Sequence, residues 1–203
     1  MNTLDEIMLR HGTDKASRHA LIKGHDYARH YDRLFSNLRD KPIKLAEIGV
    51  GGGESIRSWL EYFPNAQVFG VDIVHDTNPY NTPGSKEIDR YAFVQGDQSC
   101  NVFWNCFKAD YGTDFDVLID DGSHISKDIF TTFQAMWPAL KRGGLYFCED
   151  LACSYGGEGT HFTPKGFPTH MDWIQDELGL INHGTSVVDW LHFSQELVVL
   201  CKK

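Results

Sequence analysis

Two short acidic blocks carry the strongest chemical signal in this sequence, Asp120-Asp121-Gly122-Ser123-His124 and, further along, Glu149-Asp150. Carboxylates brought together repel one another unless they share a proton or a cation, so four of them beside an imidazole make a divalent metal the natural occupant. All-oxygen donors without paired thiols select a hard ion, magnesium first and manganese or calcium after it, rather than zinc. Such an ion acidifies a coordinated hydroxyl, and a nearby imidazole can take the proton. The competing explanation is structural: isolated acidic residues commonly cap helices or pair with lysine. Three acids placed at neighbouring strand ends weigh against it.

A second group is the pattern Glu47-Ile48-Gly49-Val50-Gly51-Gly52-Gly53 at the end of the apolar run from Lys44 to Ile48. Residues without side chains let a chain bend tightly between a strand and a helix and let the backbone approach a ligand, so the turn reads as a nucleotide-type cradle. A dinucleotide fingerprint wants glycine where this sequence has Glu54, an anion beside the place a pyrophosphate would lie. NAD is therefore disfavoured.

The elements that must position these groups follow an alternating grammar. Lys44 to Ile48, Gln67 to Asp72, Tyr91 to Gln95, Phe115 to Asp120 and Leu145 to Glu149 read as strands ending in polar residues. A helix with Ile56, Trp59, Leu60 and Phe63 on one face follows the glycine turn and stops at Pro64. Another carries Ile129, Phe133, Met136, Trp137 and Leu140, with Ser126 as its expected N-cap and the Gly143-Gly144 pair as its expected end. Tyr27, Tyr31, Leu34, Phe35 and Leu38 share a helical face before the first strand. Ser186 to Phe193 and Leu197 to Cys201 predict a closing antiparallel hairpin. The expected fold is α/β and Rossmann-like, a mostly parallel seven-stranded sheet with helices on both faces, in one domain over 1–203. An N-terminal helical segment would fill 1–40, the core 41–203, and a mobile lid 152–170, where Gly156 to Gly159 and His161 lie. In open sheets of this kind ligands bind at the carboxyl ends of strands, where both chemical groups fall.

The glycine pattern resembles the first motif of Rossmann-like class I methyltransferases, whose S-adenosylmethionine brings a sulfonium and no phosphate. Asp72 matches that family's strand-end acid, which accepts from both ribose hydroxyls, and Asp97 and Gln98 match the position that contacts adenine. The segments VLIDDGSH and LYFCEDLACSY, with GTDK at Gly12 to Lys15, the His25 to Tyr31 stretch, EIGVGGG, GDQS and Ile181-Asn182-His183, are more specific. They resemble the metal-dependent sugar O-methyltransferases of macrolide biosynthesis, a group similar in turn to cephalosporin-hydroxylase-like proteins. What the resemblance implies is a magnesium-dependent O-methyltransferase acting on a hydroxyl of a glycosylated natural product, a small molecule; since a second hydroxyl on the metal would aid alignment, an acceptor with vicinal oxygens is expected. Asp121, Glu149 and Asp150 would then ligate Mg²⁺ and His124 would be the general base, with Asp121 shared between metal and catalysis. Glu47, Gly49, Gly51, Gly53, Asp72, Asp97 and Gln98 would form the cofactor site. Asp120 would face the methyl group or orient the site from behind. Lys15 and Tyr27 are candidates to close over the methionine end of the cofactor, Lys15 against its carboxylate, or else simply pack an N-terminal helix. Related enzymes suggest a homo-oligomer.

Composition narrows the partners. A formal charge of −9 with 19 scattered Lys and Arg disfavours nucleic acid. Asp5 and Glu6 stand where a signal peptide needs a basic start, and no window is long and apolar enough for a bilayer, so the expectation is a cytoplasmic protein without a membrane partner. Five cysteines without a CxxC pair suggest free thiols. Two other functions fit the same motifs: a catechol or phenol O-methyltransferase, marked by a planar aromatic slot, and a non-catalytic S-adenosylmethionine-binding module. A hydroxylase would need two histidines and a carboxylate together, a grouping the sequence does not offer.

Overall fold

A computed structural model describes residues 2–19, 22–74, 89–156 and 161–203. Part of the stretch expected to act as a lid lies outside them. The fold is α/β with a seven-stranded mixed sheet, and the chain divides into two compact units, 1–95 and 96–203.

The first unit opens with α1 (Leu4–His11), whose start is fixed by a reciprocal cap: Thr3 accepts from the Glu6 amide while Glu6 accepts from the Thr3 amide. A two-residue ribbon, β1 (Arg18–His19) and β2 (Ile22–Lys23), leads to α2 (Ala28–Phe35). Three parallel strands follow, β3 (Lys44–Ile48), β4 (Gln67–Asp72) and β5 (Tyr91–Gln95), with β4 in the middle. Between β3 and β4 runs α3 (Glu54–Tyr62), on which α1 packs. Tyr31 and Phe35 from α2 meet Trp59 and Phe63 at ring separations of 5.1 to 5.9 Å, so the expected helical face is a real seam. Aromatic pairs of this kind add about 0.5–1.5 kcal/mol beyond their buried area. Arg90, just before β5, donates to the carbonyls of Leu60, Phe63 and Ala66, satisfying the end of α3 that Pro64 leaves open.

The second unit holds α4 (Asn101–Tyr111), β6 (Phe115–Asp120), α5 (Ser126–Met136), β7 (Leu140–Cys148), α6 (His170–Asn182), β8 (Val188–Ser194) and β9 (Leu197–Lys202). β6 and β7 are parallel, β9 runs antiparallel to β7, and β8 pairs antiparallel with β9 as the expected hairpin. Leu197 through Leu200 are fully buried, which is why a continuous apolar run replaces alternation there.

Two expectations fail on local chemistry. The helix α5 does not run to Gly143-Gly144: it gives way at Met136 to a tight 3-10 turn, Trp137–Ala139, because Pro138 has no amide to donate. Both glycines lie inside β7, where the pairing register with β6 slips between Phe115 and Val117, and Gly143 takes a φ of 75° at the irregularity. Nor does Ser126 cap α5. Ile125 holds that place, and Ser126 is the first helical residue, with its hydroxyl turned inward.

Candidate functional site

In the first unit, β3 delivers Glu47 to the foot of the glycine turn. Gly49, Gly51 and Gly53 take φ values of 84°, 51° and 81°, a conformation side chains resist, and Gly53 leads directly into α3. Asp72, at the tip of β4, holds the turn: its Oδ2 accepts from the amides of Val50 at 2.8 Å and Gly51 at 3.2 Å, and its Oδ1 from Val74 at 3.0 Å. One carboxylate thus ties the turn together, a role apart from the ribose contact expected of it. Glu47 is fully buried and accepts from the Ser55 hydroxyl at 2.8 Å and the Trp59 indole at 3.1 Å. Lys15 is buried too, its Nζ 3.6 Å from Glu47 Oε1. Tyr27 is buried with its ring 5.1 Å from that of His25. These two residues of the N-terminal segment are built into the unit's interior, Lys15 facing the acid of the glycine motif.

In the second unit the acidic blocks sit at the carboxyl ends of β6 and β7. Asp120 ends β6 with no exposed surface and lies in a closed network: Gln98 donates to Oδ1 at 3.1 Å and Tyr146 to Oδ2 at 2.8 Å. Burial raises its pKa to about 6, against the lowering pull of those donors, the Gly122 amide and His124. Gln98 also donates to Thr132 and accepts from the Ser123 amide at 2.6 Å, so it braces the turn that carries His124. Asp97 is exposed, with Oδ1 accepting from the Ser99 amide at 2.8 Å.

The next residues face one another. Asp121, His124 and Asp150 each offer a ligand atom within 4.8 Å of the others, all three half-buried. His124 Nε2 lies 3.5 Å from Asp150 Oδ2, while its Nδ1 is buried with no hydrogen-bond partner among the described residues. Glu149 is buried, and its amide donates to the Asp120 carbonyl at 3.0 Å, joining the tips of β6 and β7. The Cys148 thiol registers the assembly: burial raises its pKa first, then the charges of Asp120, Glu149, Asp121 and Asp150. His124 and Asp150 both have positive φ, 56° and 55°. Non-glycine residues held there cost about 1–3 kcal/mol each and persist where the surroundings impose them, a pattern concentrated at functional sites.

The donor chemistry fits a hard divalent ion. Asp121 and Asp150 supply oxygens and His124 the one nitrogen, whereas Glu149, the third expected ligand, does not bring its carboxylate within 4.8 Å of the other three. The residues that brace the cluster carry little signal in the sequence. Tyr146 lies inside β7, and Ser126, Ser154, Thr163 and His170 form a buried polar knot behind the cluster. Of these only His170 had a visible sequence signal, its place after Thr169 in a Thr-x-x-Asp capping box.

No model of a protein family matches the chain. Among curated proteins it is similar to mycinamicin VI 2''-O-methyltransferase of Micromonospora griseorubida, 37% identical over 138 residues, 64% of this chain and 33% of that protein. It is likewise similar to L-olivosyl-oleandolide 3-O-methyltransferase of Streptomyces antibioticus, 36% identical over 80% of this chain and 42% of the relative. A third is 8-demethyl-8-alpha-L-rhamnosyl tetracenomycin-C 2'-O-methyltransferase of Streptomyces olivaceus, 38% identical over 73% and 38%. The chain therefore spans between a third and a half of the length of these relatives. Among solved structures, MycE methyltransferase from the mycinamycin pathway in complex with Mg and SAH superposes with a TM-score of 0.79 at 30% identity, covering 99% of this chain and 55% of that one. The same enzyme with Mg, SAH and mycinamycin VI gives 0.80 at 30% identity, over 99% and 54%. The fold is that of the Rossmann-like class I methyltransferases.

Proposed function

We propose, for a chain whose homologues are the sugar O-methyltransferases of macrolide and tetracenomycin biosynthesis, an S-adenosylmethionine- and Mg²⁺-dependent transfer of methyl to a hydroxyl of a glycosylated small molecule. The observation that carries it is the gathering of Asp121, His124 and Asp150, two of them in a strained backbone conformation. MycE, similar along nearly the whole of this chain, has Mg and SAH in its structures, and SAH is what the methyl donor becomes.

Asp121, Glu149 and Asp150 would hold the metal, which when bound lowers the pKa of a coordinated hydroxyl and fixes its direction. His124 would receive the hydroxyl proton at Nε2, the nitrogen turned toward the acids, and Asp150 at 3.5 Å would pair with the imidazolium that results. Asp120 and Gln98 act from behind, the first holding Tyr146 and the second the Ser123 amide, so that the loop bearing Asp121 and His124 keeps its shape. In the first unit the amides and glycines of the 49–53 turn, with Asp72 and Glu47, would cradle the methyl donor, its sulfonium tolerating the acids that would repel a pyrophosphate. Asp97, which is exposed, would take the adenine side, whereas Gln98, expected to share that role, is buried with its amide engaged by Asp120, Thr132 and Ser123. The donor is already activated, so the remaining catalytic effect is alignment of oxygen, carbon and sulfur. An acceptor with two vicinal oxygens suits that task.

No described helix is long and apolar enough to cross a membrane; a cytoplasmic site of action is part of the proposal. Self-association is supported by β8, paired only with β9 among the described residues and exposing 37% of Trp190 and 46% of Phe193. The decisive assay offers isotope-labelled S-adenosylmethionine and a panel of glycosylated acceptors, read by mass spectrometry. Labelled product that disappears with EDTA and returns with Mg²⁺ is expected; transfer indifferent to the chelator would remove the metal from the account.

A further inference from the structure

The polar knot behind the acidic cluster has a definite architecture. Ser126, Ser154, Thr163 and His170 are each at least 95% buried, with exposures of 2%, 3%, 0% and 4%. His170 Nδ1 lies 2.5 Å from the Ser154 hydroxyl and 3.5 Å from that of Ser126, and Ser126 in turn meets Thr163 at 3.2 Å. The Ser126 amide donates to the Phe162 carbonyl at 2.8 Å. Three elements therefore converge on one imidazole: the start of α5, the 3-10 turn Leu151–Gly156, and the first residue of α6. That residue is itself fixed by the cap in which Thr169 and Asp172 exchange hydrogen bonds.

Two of these elements have a further property. Ser126 follows His124 after a single intervening residue, and Ser154 lies one short turn beyond Asp150. His124 and Asp150 are the cluster members whose φ is positive, a conformation that survives only where neighbouring structure over-determines it. The His170 knot supplies that constraint to both. The ring is also neutral at physiological pH: burial, then the nearby charge of His124, lowers its pKa to about 4. A neutral ring offers Ser154 a single well-defined donor or acceptor and adds no positive charge behind a cation site.

We propose that His170 is a positioning residue, which by its bond to Ser154 and contact with Ser126 locks the Asp150 and His124 loops together and so sets the affinity of the acidic cluster for a divalent cation. The inference rests on the metal reading above and adds a residue that touches neither metal nor substrate. It also assigns a role to the described parts of the 152–170 stretch: they anchor the cluster from behind.

The test uses Mn²⁺ as the probe, titrated into the whole purified chain and read by the electron paramagnetic resonance signal of the free ion, with no acceptor or turnover involved. Wild type should bind it. His170→Phe and Ser154→Ala should each weaken binding by about tenfold or more, the scale on which groups supporting metal ligands act. His170→Asn, which retains a polar atom near the Nδ1 position, should stay within about threefold of wild type, an effect smaller than that scale. Should His170→Phe fail to fold, Ser154→Ala decides alone. Unchanged Mn²⁺ affinity in folded Ser154→Ala or His170→Phe overturns the proposal while leaving the metal reading intact, as does a His170→Asn protein as weak as His170→Phe. A wild-type chain that binds no Mn²⁺ removes the metal reading, and this inference with it.

Discussion

The glycine turn of the first unit and the acidic cluster of the second both need backbone in the left-handed region, and they meet that need in opposite ways. At the turn, positions 49, 51 and 53 are glycine, so the conformation is nearly free of strain and the side chains are sacrificed for backbone freedom. At the cluster the same conformation is occupied by His124 and Asp150, so the strain is kept for the sake of the side chains. The contrast separates two kinds of site. Under the proposed roles, glycine serves where the backbone itself would approach a ligand, and where the side chain would do the chemistry the chain accepts a cost of about 1–3 kcal/mol per residue.

Substitutions that swap the two solutions sharpen the contrast. The largest effect is expected from Asp150→Asn, which keeps shape but weakens the metal site: turnover should fall roughly a thousandfold, the scale of losing several kcal/mol of charge stabilisation, measured by labelled methyl transfer at saturating Mg²⁺. Replacement of His124 by Gln should cost about 10²–10⁴-fold in turnover, the usual contribution of a general base. A His124→Gln enzyme with unchanged turnover would assign the base elsewhere. Next in size is Gly51→Ala. A Cβ there meets no atom within 4 Å, so the cost is conformational alone, about 1–2 kcal/mol, seen as a Tm lower by about 2–8 °C. Asp150→Gly reverses the sign. Relief of strain offsets the entropy of the new glycine, so its Tm should equal or exceed that of wild type by up to about 3 °C although the variant is inactive. A Tm loss as large as that of Gly51→Ala would show that Asp150 is not strained.

The last expected effect is on the pH dependence of stability. The His170 pKa lies at about 4 in the folded chain, below the usual 6.5, so between those values the unfolded chain binds the extra proton. The stability tied to a neutral His170 is complete above pH 6.5 and is lost as pH falls toward 4. Chemical denaturation from pH 7 to 4 should show a shallower decline in His170→Phe than in wild type; parallel curves would contradict a buried neutral ring.

How much of this was legible in the sequence differs between the same regions. Strand tips are local features, and β4, β5 and β6 begin and end where apolar runs meet Asp72, Gln95 and Asp120. The acids at β6 and β7 could therefore be placed on one edge of the sheet before any coordinates. Helices without a clean apolar stripe, α1, α4 and α6, were not legible by periodicity, although Thr3 with Glu6 and Thr169 with Asp172 mark two of their starts. Partners set by tertiary packing left no signal. Nothing at Lys15 announces that it lies 3.6 Å from Glu47, nothing at Ser126 that its hydroxyl turns from capping toward Thr163. Asp72 was read as a ligand for ribose, and its carboxylate braces the Val50 and Gly51 amides of the turn.

The central claim is that Asp121, Glu149 and Asp150, beside His124, form a divalent-cation site. Calorimetric titration of Mg²⁺ into wild type and into Asp121→Asn tests it most directly. The account predicts one saturable site in wild type and none in the variant. Equal heats in the two proteins, or no binding in wild type with S-adenosylmethionine present, would contradict it.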